Sequence, residues 1–207
     1  MARENKKGVQ KKLKQASVGI AGLGGLGSNA AVALARAGVG HLVLVDFDRV
    51  EESNLDRQYY FQDQTGQLKV EALTATLKRI NPRIAIDAYT VKLEEGSMDT
   101  PFKDVDVIIE ALDLAQTKTT FIEEILMKLP GKPLVAASGV AGYGNPDRIR
   151  TLHTGNLHLC YNENAKSSDE DVLMAPHVAL MANWEADLVL EIILGDRHDR
   201  CGKQQKD

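Results

Sequence analysis

The sequence predicts one α/β domain with a Rossmann-like, doubly wound, mainly parallel sheet and an added antiparallel hairpin near its C-terminal part. Its 207 residues are enough for one domain with a sizeable core. Strand-like and helix-like segments alternate along most of the chain, which is typical of a parallel sheet covered by helices on both faces. A G-x-G-x-x-G loop lies between the first strand-like run and the first helix-like segment, which is the context of a phosphate-binding turn.

Each element follows from a local pattern. The strand-like segments are short apolar or alternating runs at residues 17–21, 41–45, 84–89, 105–109 and 133–137. The helix-like segments have apolar residues at helical spacing and span residues 25–37, about 65–80, 115–129 and about 176–194. Two further strand-like runs, 148–153 and 157–161, flank Thr154-Gly155-Asn156, and this turn predicts the antiparallel hairpin.

Charge divides the chain into an N-terminal arm and a folded body. The first sixteen residues hold six Lys/Arg and one Glu, whereas the whole chain has a net charge of −4. We expect residues 1–16 to be a solvated, partly disordered basic arm. Residues 17–200 would form a single domain with a polar crossover loop at 161–175, followed by a C-terminal tail at 201–207.

Composition argues against several classes of protein. A basic arm on an acidic body does not suggest a nucleic-acid binder. Residues 16–35 are uncharged, but five glycines, two serines and an Asn divide them into strand, turn and helix, so no membrane span is expected. The charged N-terminal residues do not resemble a secretory signal, and we expect a cytoplasmic protein. Cys160 and Cys201 lie far apart, so neither a disulfide framework nor a zinc site is expected.

The glycine loop and a downstream carboxylate predict a nucleotide site. The backbone amides of Gly22, Gly24, Gly25 and Gly27, at the start of a helix, can hold a phosphate. Asp46 ends the second strand, nineteen residues after Gly27, where a carboxylate can accept hydrogen bonds from ribose hydroxyls. These residues leave NAD and ATP both open, and a tight turn without a ligand is the simplest alternative.

Polar residues beyond the second strand favour a triphosphate over a dinucleotide. Asn54, Arg57 and Gln58 follow that strand, and Lys69 lies near the start of the next helix. Arg57 and Lys69 would place two cations near the phosphates, where cleavage of a triphosphate develops negative charge. Asp113 follows the fourth strand, at the sheet edge where a carboxylate can hold Mg²⁺. The simpler alternatives are a surface position for Lys69 and a helix N-cap for Asp113.

Longer motifs resemble those of the ThiF/MoeB/HesA family, the bacterial relatives of ubiquitin-activating enzymes. The run DFDRVEESNLDRQ, from Asp46 to Gln58, carries most of the likeness, and the loop GLGGLGS, from Gly22 to Ser28, is less specific. The runs ASGVAGYG at 137–144 and LMAP at 173–176 are similar to later landmarks of the family. The likeness extends over about residues 16–195. It is greatest with the short ThiF-like subgroup, which is linked with thiamine biosynthesis.

The resemblance implies an adenylyltransferase that uses ATP and Mg²⁺ and has no zinc. Such an enzyme adenylates the C-terminal glycine of a ubiquitin-like sulfur-carrier protein ending in Gly-Gly, such as ThiS, and releases pyrophosphate. The family's dimeric habit implies a homodimer. By match to the family's motifs, the implied roles are phosphate binding by Gly22–Gly27, ribose binding by Asp46, phosphate contact and transition-state stabilisation by Asn54, Arg57 and Lys69, shaping of the site by Gln58, and positioning of Mg²⁺ by Asp113.

Three departures from the family pattern are visible in the sequence. The two C-x-x-C pairs that bind structural zinc in larger members are missing. Many members supply an arginine from the partner subunit's N-terminal segment, and that segment here offers Arg3 and otherwise lysines. The crossover loop at 161–175 has no cysteine, which leaves Cys160 at its edge as a possible sulfur-transfer residue. The alternative for Cys160 is a small packed core residue.

Two other functions stay open at this point. A NAD-dependent oxidoreductase would explain the glycine loop but would leave Arg57 and Lys69 without a role. A carrier-binding protein of the same fold, with weak or no catalysis, is the second alternative. Elsewhere in the chain, we expect His153 and His158 to be a surface pair across the hairpin, and Trp184 to lie in the core or at an interface.

Overall fold

The computed structural model describes residues 6–144, 146–163 and 171–195. Its helices are α1 (Lys6–Gln15), α2 (Gly25–Ala37), α3 (Lys69–Ile80), α4 (Ala115–Lys128) and α5 (Ala175–Leu194). Its strands are β1 (Ser17–Ala21), β2 (His41–Val45), β3 (Ala85–Tyr89), β4 (Val107–Glu110), β5 (Leu134–Ser138), β6 (Ile149–Thr154) and β7 (Leu157–Asn162). Short 3-10 turns lie at Glu52–Asn54, Gln62–Gln64, Thr100–Phe102 and Pro146–Arg148.

The strands of the described residues form one seven-stranded sheet in the order β3-β2-β1-β4-β5-β7-β6. Neighbouring strands are parallel except for β6 and β7, which pair antiparallel. The chain moves outward from β1 to β3 and then returns to β4 on the other side of β1. This reversal opens a crevice at the carboxyl ends of β1 and β4, where ligands bind in open α/β sheets. The sheet confirms the predicted fold class, including the added hairpin.

Helices cover both faces of the sheet. One apolar core collects residues from α1, α2, α3 and α5, among them Leu13, Leu34, Leu73 and Val189. The other core lies under α4 and the turn at Thr100–Phe102, and includes Phe102, Phe121 and Ile125. Strand residues alternate between the two cores because successive side chains point to opposite faces. The sheet is therefore the middle layer of three, and its strand ends are the part left accessible for a site.

Most element boundaries lie within a few residues of their predicted positions. The largest shift is at α3, which begins at Lys69 and not near residue 65. The hairpin turn is the two-residue loop Gly155-Asn156, because Thr154 pairs directly with Leu157. The uncharged residues 16–35 divide into β1 and α2 as predicted. Of the helices in the described ranges, none is long and apolar enough to cross a membrane.

The expectation of a partly disordered N-terminal arm is wrong for residues 6–15, which form α1. Leu13 on this helix is buried, and its carbonyl accepts a hydrogen bond from the N–H of Gly40 at 2.9 Å. A Cβ atom at Gly40 would lie only 1.9 Å from the carbonyl oxygen of Lys14. The lysines of α1 are solvated as expected, but the helix itself packs on the domain. Arg3, loop residues 164–170 and the predicted tail at 201–207 lie outside the described residues.

Candidate nucleotide site

The glycine loop turns tightly between β1 and α2. Gly22 has a φ of +89°, and a Cβ there would lie 2.6 Å from the carbonyl oxygen of Ala111. A Cβ at Gly27 would lie 1.9 Å from the carbonyl oxygen of Gly22. At Gly24, in contrast, the nearest atom to a Cβ would be Gln58 Nε2 at 3.8 Å. The backbone therefore requires glycine at 22 and 27, whereas Gly24 faces open space at the N-terminus of α2, where a phosphate fits.

The first turn of α2 joins the loop to its neighbours. A Cβ at Gly25 would lie 2.8 Å from Val178 Cγ1, so glycine allows α5 to pack closely here. Asn29 Nδ2 donates to the carbonyl oxygens of Gly25, at 2.7 Å, and Arg57, at 3.1 Å. These two bonds fix the segment that carries Arg57 beside the start of α2.

Asp46 ties the end of β2 to the glycine loop. Its Oδ2 accepts from the N–H of Leu23 at 2.6 Å, and its Oδ1 accepts from the N–H of Asp48 at 2.7 Å. The hydroxyl of Tyr60 donates to the carbonyl oxygen of Leu23 at 2.8 Å, so Leu23 is held from both sides. Burial raises the pKa of Tyr60, and the nearby carboxylates of Asp46 and Asp48 raise it further, which keeps this hydroxyl protonated as a donor.

Lys69 is a buried cation at the edge of this unit. Its Nζ lies 2.9 Å from Asp48 Oδ2, and its backbone N–H donates to the carbonyl oxygen of Asp48 at 2.9 Å. The Lys69 side chain is 8% exposed, whereas that of Asp48 is 47% exposed. Burial rules out the simple surface position for Lys69. The backbone N–H of Asp48 donates to the Asp46 carboxylate, which in turn accepts from Leu23. Lys69 is therefore connected to the glycine loop through Asp48 and Asp46.

The turn after β2 arranges Asn54, Arg57 and Gln58. Arg57 Nη1 donates to the carbonyl oxygen of Ser53 at 2.9 Å and lies 2.6 Å from Asp56 Oδ1. The carbonyl oxygen of Asn54 accepts from the N–H of Gln58 at 2.9 Å. Gln58 Oε1 is buried and has no hydrogen-bond partner among the described residues. The Gln58 atom that a Cβ at Gly24 would meet at 3.8 Å is Nε2, a donor, so this side chain borders the open position of the loop.

Asp113 lies in the turn between β4 and α4, with an exposed side chain. The N-cap residue of α4 is Leu114, so the alternative N-cap role for Asp113 is not observed. Within the described ranges, there is no group of three or more His, Cys, Asp or Glu side chains that could hold a metal ion. Mg²⁺ commonly needs only one or two protein carboxylates together with substrate phosphates. Asp113 directly follows Ala111 and Leu112, whose backbone lies against Gly22, and its exposed carboxylate fits that requirement.

Cys160 is not part of this group of residues. It lies on β7, separated from β4 by β5, and is fully buried. Its Sγ donates to the carbonyl oxygen of Ala136 at 3.5 Å. Burial raises the pKa of the thiol well above its usual range, with the carboxyl of Glu185 adding to the effect. The thiol is therefore in the setting of a packed core residue, and sulfur transfer at Cys160 would require the hairpin to move.

The two histidines of the hairpin are paired. His153 and His158 are directly opposite in the β6–β7 register, with their Nδ1 atoms 2.7 Å apart. Burial and the neighbouring His153 lower the pKa of His158, which favours the neutral form of that ring. Trp184, 39% exposed on α5, donates from Nε1 to Thr151 Oγ1 on β6 at 2.9 Å. These contacts lie on the hairpin, apart from the glycine loop.

Sequence reasoning missed several polar residues that support the site. Asp48 lies within the motif from Asp46 to Gln58, at a spacing of two from Asp46, and Tyr60 follows two residues after the motif ends. Glu185 is fully buried and occupies a core position on α5 together with Val178, Met181 and Val189. A charged residue on an apolar stripe is the signal that could have identified it. Glu110 and Lys118, which form an ion pair beneath the crevice, carried no comparable local signal.

The switch-point crevice, the glycine loop and Asp46 define a Rossmann-like nucleotide-binding domain. Comparison with known proteins identifies the family. Residues 1–206 match the ThiF family, and the chain belongs to it.

Curated relatives are named adenylyltransferases. Molybdopterin-synthase adenylyltransferase of Escherichia coli is 32% identical over 200 residues, which are 94% of this chain and 79% of that protein. Adenylyltransferase and sulfurtransferase UBA4 of Candida glabrata is 34% identical over 196 residues, which are 90% of this chain. This chain spans 44% of the UBA4 protein, less than half its length.

Solved structures share the fold. Escherichia coli tRNA N6-threonylcarbamoyladenosine dehydratase, TcdA, in complex with AMP, has a TM-score of 0.81 at 21% identity, covering 90% of this chain and 89% of that one. Escherichia coli MccB with ATP has a TM-score of 0.71 at 26% identity, covering 89% of this chain and 57% of that one. The first likeness establishes the fold alone.

Proposed function

We propose that this protein uses ATP to adenylate the C-terminal glycine of a ubiquitin-like sulfur-carrier protein, releasing pyrophosphate. The observation that carries the proposal is the buried Lys69, linked through Asp48 and Asp46 to the glycine loop. A buried cation beside a phosphate loop suits a triphosphate whose cleavage develops negative charge. Hydride transfer leaves the phosphates of a dinucleotide unchanged, so its chemistry develops no charge for that cation to neutralise. The adenylyltransferase names of the relatives support the same reading.

Different residues would bind the phosphates, the ribose and Mg²⁺, according to where they lie in the site. The open amides at Gly24 and the N-terminus of α2 hold phosphate oxygens, while Asp46 accepts hydrogen bonds from the ribose. Lys69 and Arg57 neutralise charge on the phosphates as the bond between the α-phosphorus and the pyrophosphate oxygen breaks. Asp113 is the residue that would hold Mg²⁺, which would supply positive charge to the phosphates.

The nucleophile comes from the substrate and not from this chain. The carboxylate of the carrier's terminal glycine attacks the α-phosphorus, so a carboxylate–phosphate bond forms as pyrophosphate leaves. The carboxylate needs no general base because it is already ionised at neutral pH. Positioning of two anions and neutralisation of their charge must therefore supply the rate.

The carrier is proposed to be ThiS-like and to serve formation of the thiamine thiazole. The lack of C-x-x-C pairs in the sequence, which is typical of the short ThiF-like subgroup, supports that choice. A molybdopterin-type carrier is the second candidate, since the relative from Escherichia coli is a molybdopterin-synthase adenylyltransferase with 94% of this chain aligned. Both carriers present the same Gly-Gly end to the same chemistry.

ATP–pyrophosphate exchange with purified protein tests the activity directly. The protein is mixed with ThiS-like and molybdopterin-type carriers, each also prepared without its terminal Gly-Gly as a matched control. We expect exchange with one intact carrier and none with its shortened form. NADH turnover without ATP would instead support an oxidoreductase. Carrier binding without exchange would support a binding protein of the same fold.

The proposal includes Mg²⁺ as the metal and a cytoplasmic homodimer as the assembly. Exchange should disappear on addition of a chelator and return with Mg²⁺. Light scattering should give twice the monomer mass. A monomeric protein that still performs exchange would overturn the dimer while leaving the chemistry intact.

A further inference from the structure

A cluster of three ionisable side chains lies beneath the crevice. Glu110 ends β4, Lys118 lies on α4 and Glu185 lies on α5. Glu110 and Glu185 are both fully buried. Lys118 Nζ forms an ion pair with Glu110 and also donates to the carbonyl oxygen of Ala137 on β5 at 3.1 Å. One lysine therefore joins α4 to the carboxyl ends of β4 and β5.

The carboxylate of Glu110 also organises the turn that leads to Asp113. Its Oε1 accepts from the N–H of Leu112 at 2.8 Å. The preceding residue, Ala111, donates its N–H to the carbonyl oxygen of Ala21 at 2.8 Å, and its carbonyl oxygen lies against Gly22. The turn at 111–113 is thus held between the glycine loop on one side and Glu110 on the other.

Lys118 forms its ion pair with Glu110 and not with Glu185. Both carboxyl oxygens of Glu185 are buried without a hydrogen-bond partner among the described residues. Complete burial raises the pKa of Glu185 well above its usual range; Lys118 partly opposes this rise, and Glu110 adds to it. With one cation for two buried carboxyl groups, Glu185 keeps its proton, and the ammonium of Lys118 balances the carboxylate of Glu110.

We propose that Glu110 and Lys118 act as a positioning pair that holds the turn 111–113 against the glycine loop and so sets where Asp113 lies. The inference rests on the proposed adenylation, because it assigns the pair to the Mg²⁺-dependent part of that reaction. Glu110 is fully buried and accepts the Leu112 N–H, so the pair acts through the turn. Loss of the pair removes the acceptor for the Leu112 N–H and frees the turn that carries Asp113.

A double-mutant cycle between Glu110→Gln and Asp113→Asn tests this action through Asp113. In the wild-type background, Glu110→Gln should raise the Mg²⁺ concentration for half-maximal exchange at least about fivefold, with the KM for the carrier unchanged. In the Asp113→Asn background, the same change should have an effect of less than about twofold, because residues that act as one unit are not additive. Equal effects in both backgrounds would overturn the proposal.

Matched variants separate positioning from general loss of stability. Lys118→Arg should retain the Mg²⁺ dependence, because guanidinium can keep the ion pair, whereas Lys118→Met should copy Glu110→Gln. Glu124→Gln is the control: Glu124 is also buried on α4, pairs with Lys128 and accepts from the N–H groups of Gly96 and Met98, away from the crevice. It should lower stability without changing the Mg²⁺ dependence. A shift in Glu124→Gln as large as that in Glu110→Gln would contradict a specific role.

Amide hydrogen exchange of the free protein gives a readout that needs no activity. Glu110→Gln should speed exchange of the Leu112 amide at least about tenfold, because its acceptor is weakened, while amides in β1 stay protected. An unchanged Leu112 amide overturns the positioning pair whatever the enzyme does. If the wild-type protein shows no ATP–pyrophosphate exchange but the Leu112 amide exchanges faster in Glu110→Gln, the adenylation proposal is overturned. The role of the pair in that reaction is then overturned as well, and only its structural role in holding the turn remains.

Discussion

The carboxylate of Asp46 accepts the backbone N–H of Leu23 at 2.6 Å, which joins the end of β2 to the middle of the glycine loop. The residue proposed to bind ribose thus also sets the shape of the phosphate loop. Nucleotide affinity and folding stability should therefore respond together when Asp46 is changed.

Asp46→Asn tests that joint role. Asparagine keeps one acceptor oxygen, so either Leu23 or Asp48 loses its partner and faces an amide donor. We expect unfolding free energy to fall by about 1–3 kcal/mol and ATP affinity to fall at least about tenfold. Urea unfolding and calorimetric titration measure the two effects. Asp104→Asn, at an exposed position, is the control; unchanged ATP affinity in Asp46→Asn would contradict the assignment.

Gly24→Ala and Gly27→Ala should separate ligand binding from folding. A Cβ at Gly24 meets nothing closer than 3.8 Å, so the melting temperature should stay within about 2–4 °C of wild type. ATP should nevertheless bind at least about tenfold more weakly, because the methyl group enters the space proposed for phosphate. Gly27→Ala should lower the melting temperature strongly, since its Cβ would meet the Gly22 carbonyl. Tight ATP binding by Gly24→Ala would remove that space from the site.

Lys69→Ala should reduce ATP–pyrophosphate exchange at least about a hundredfold, because one cation facing the developing charge is lost. Asp48→Asn keeps the lysine and removes only its partner, so exchange should fall by less than about tenfold. Lys7→Ala, on the exposed face of α1, should leave exchange unchanged. If Lys69→Ala retains full exchange, the lysine has no part in the chemistry and serves only to pair Asp48.

Glu185→Gln should stabilise the protein at neutral pH. In the folded state Glu185 keeps its proton among Glu110, Lys118 and Cys160, whereas in the unfolded chain it ionises near its ordinary pKa of about 4.3. The stability of the wild-type protein therefore falls as pH rises from about 4.3 towards the raised pKa of Glu185 in the folded state. The stability of the glutamine variant does not change in this way. The advantage should grow by up to about 1.4 kcal/mol per pH unit. Urea unfolding across this range checks it, and a pH-independent difference would show that Glu185 does not hold the proton.

Cys160 should be unreactive in the folded protein. In a Cys201→Ser background, a thiol reagent should modify Cys160 at least about a hundredfold more slowly than in the urea-unfolded chain. Cys160→Ser should leave adenylation intact, because the residue lies outside the nucleotide site. Rapid labelling of the native protein would instead indicate that the hairpin opens and would favour a role in sulfur transfer.

The alternation of apolar runs made the sheet, the helices on both faces and the hairpin predictable. Helix α1 was not predictable in this way, because its lysines outnumber the two apolar residues, Val9 and Leu13, that face the domain. What stabilises α1 is a distant contact, the close approach to Gly40, which no local pattern reports.

The site shows the same division. The loop, Asp46 and the cations were identified from motifs whose residues are near each other in sequence. The partner of Lys69 lies twenty-one residues before it, and the pairing of Glu110 with Lys118 depends on how α4 returns to the sheet. Such pairings arise only from the tertiary fold. The sequence therefore predicts which residues belong to the candidate site, but not which of them form ion pairs or hydrogen bonds with each other.

The packing of α1 against Gly40 has a practical consequence for shortened forms of the protein. Trimming the lysine-rich N-terminus, as is often done before crystallisation, would remove Leu13 from the core. Exposing one such leucine pocket costs about 1.5–3 kcal/mol, against a total folding stability of about 5–15 kcal/mol for a typical domain. A truncated protein beginning at Ser17 would retain the glycine loop, Asp46 and Lys69 and still populate its unfolded form far more often.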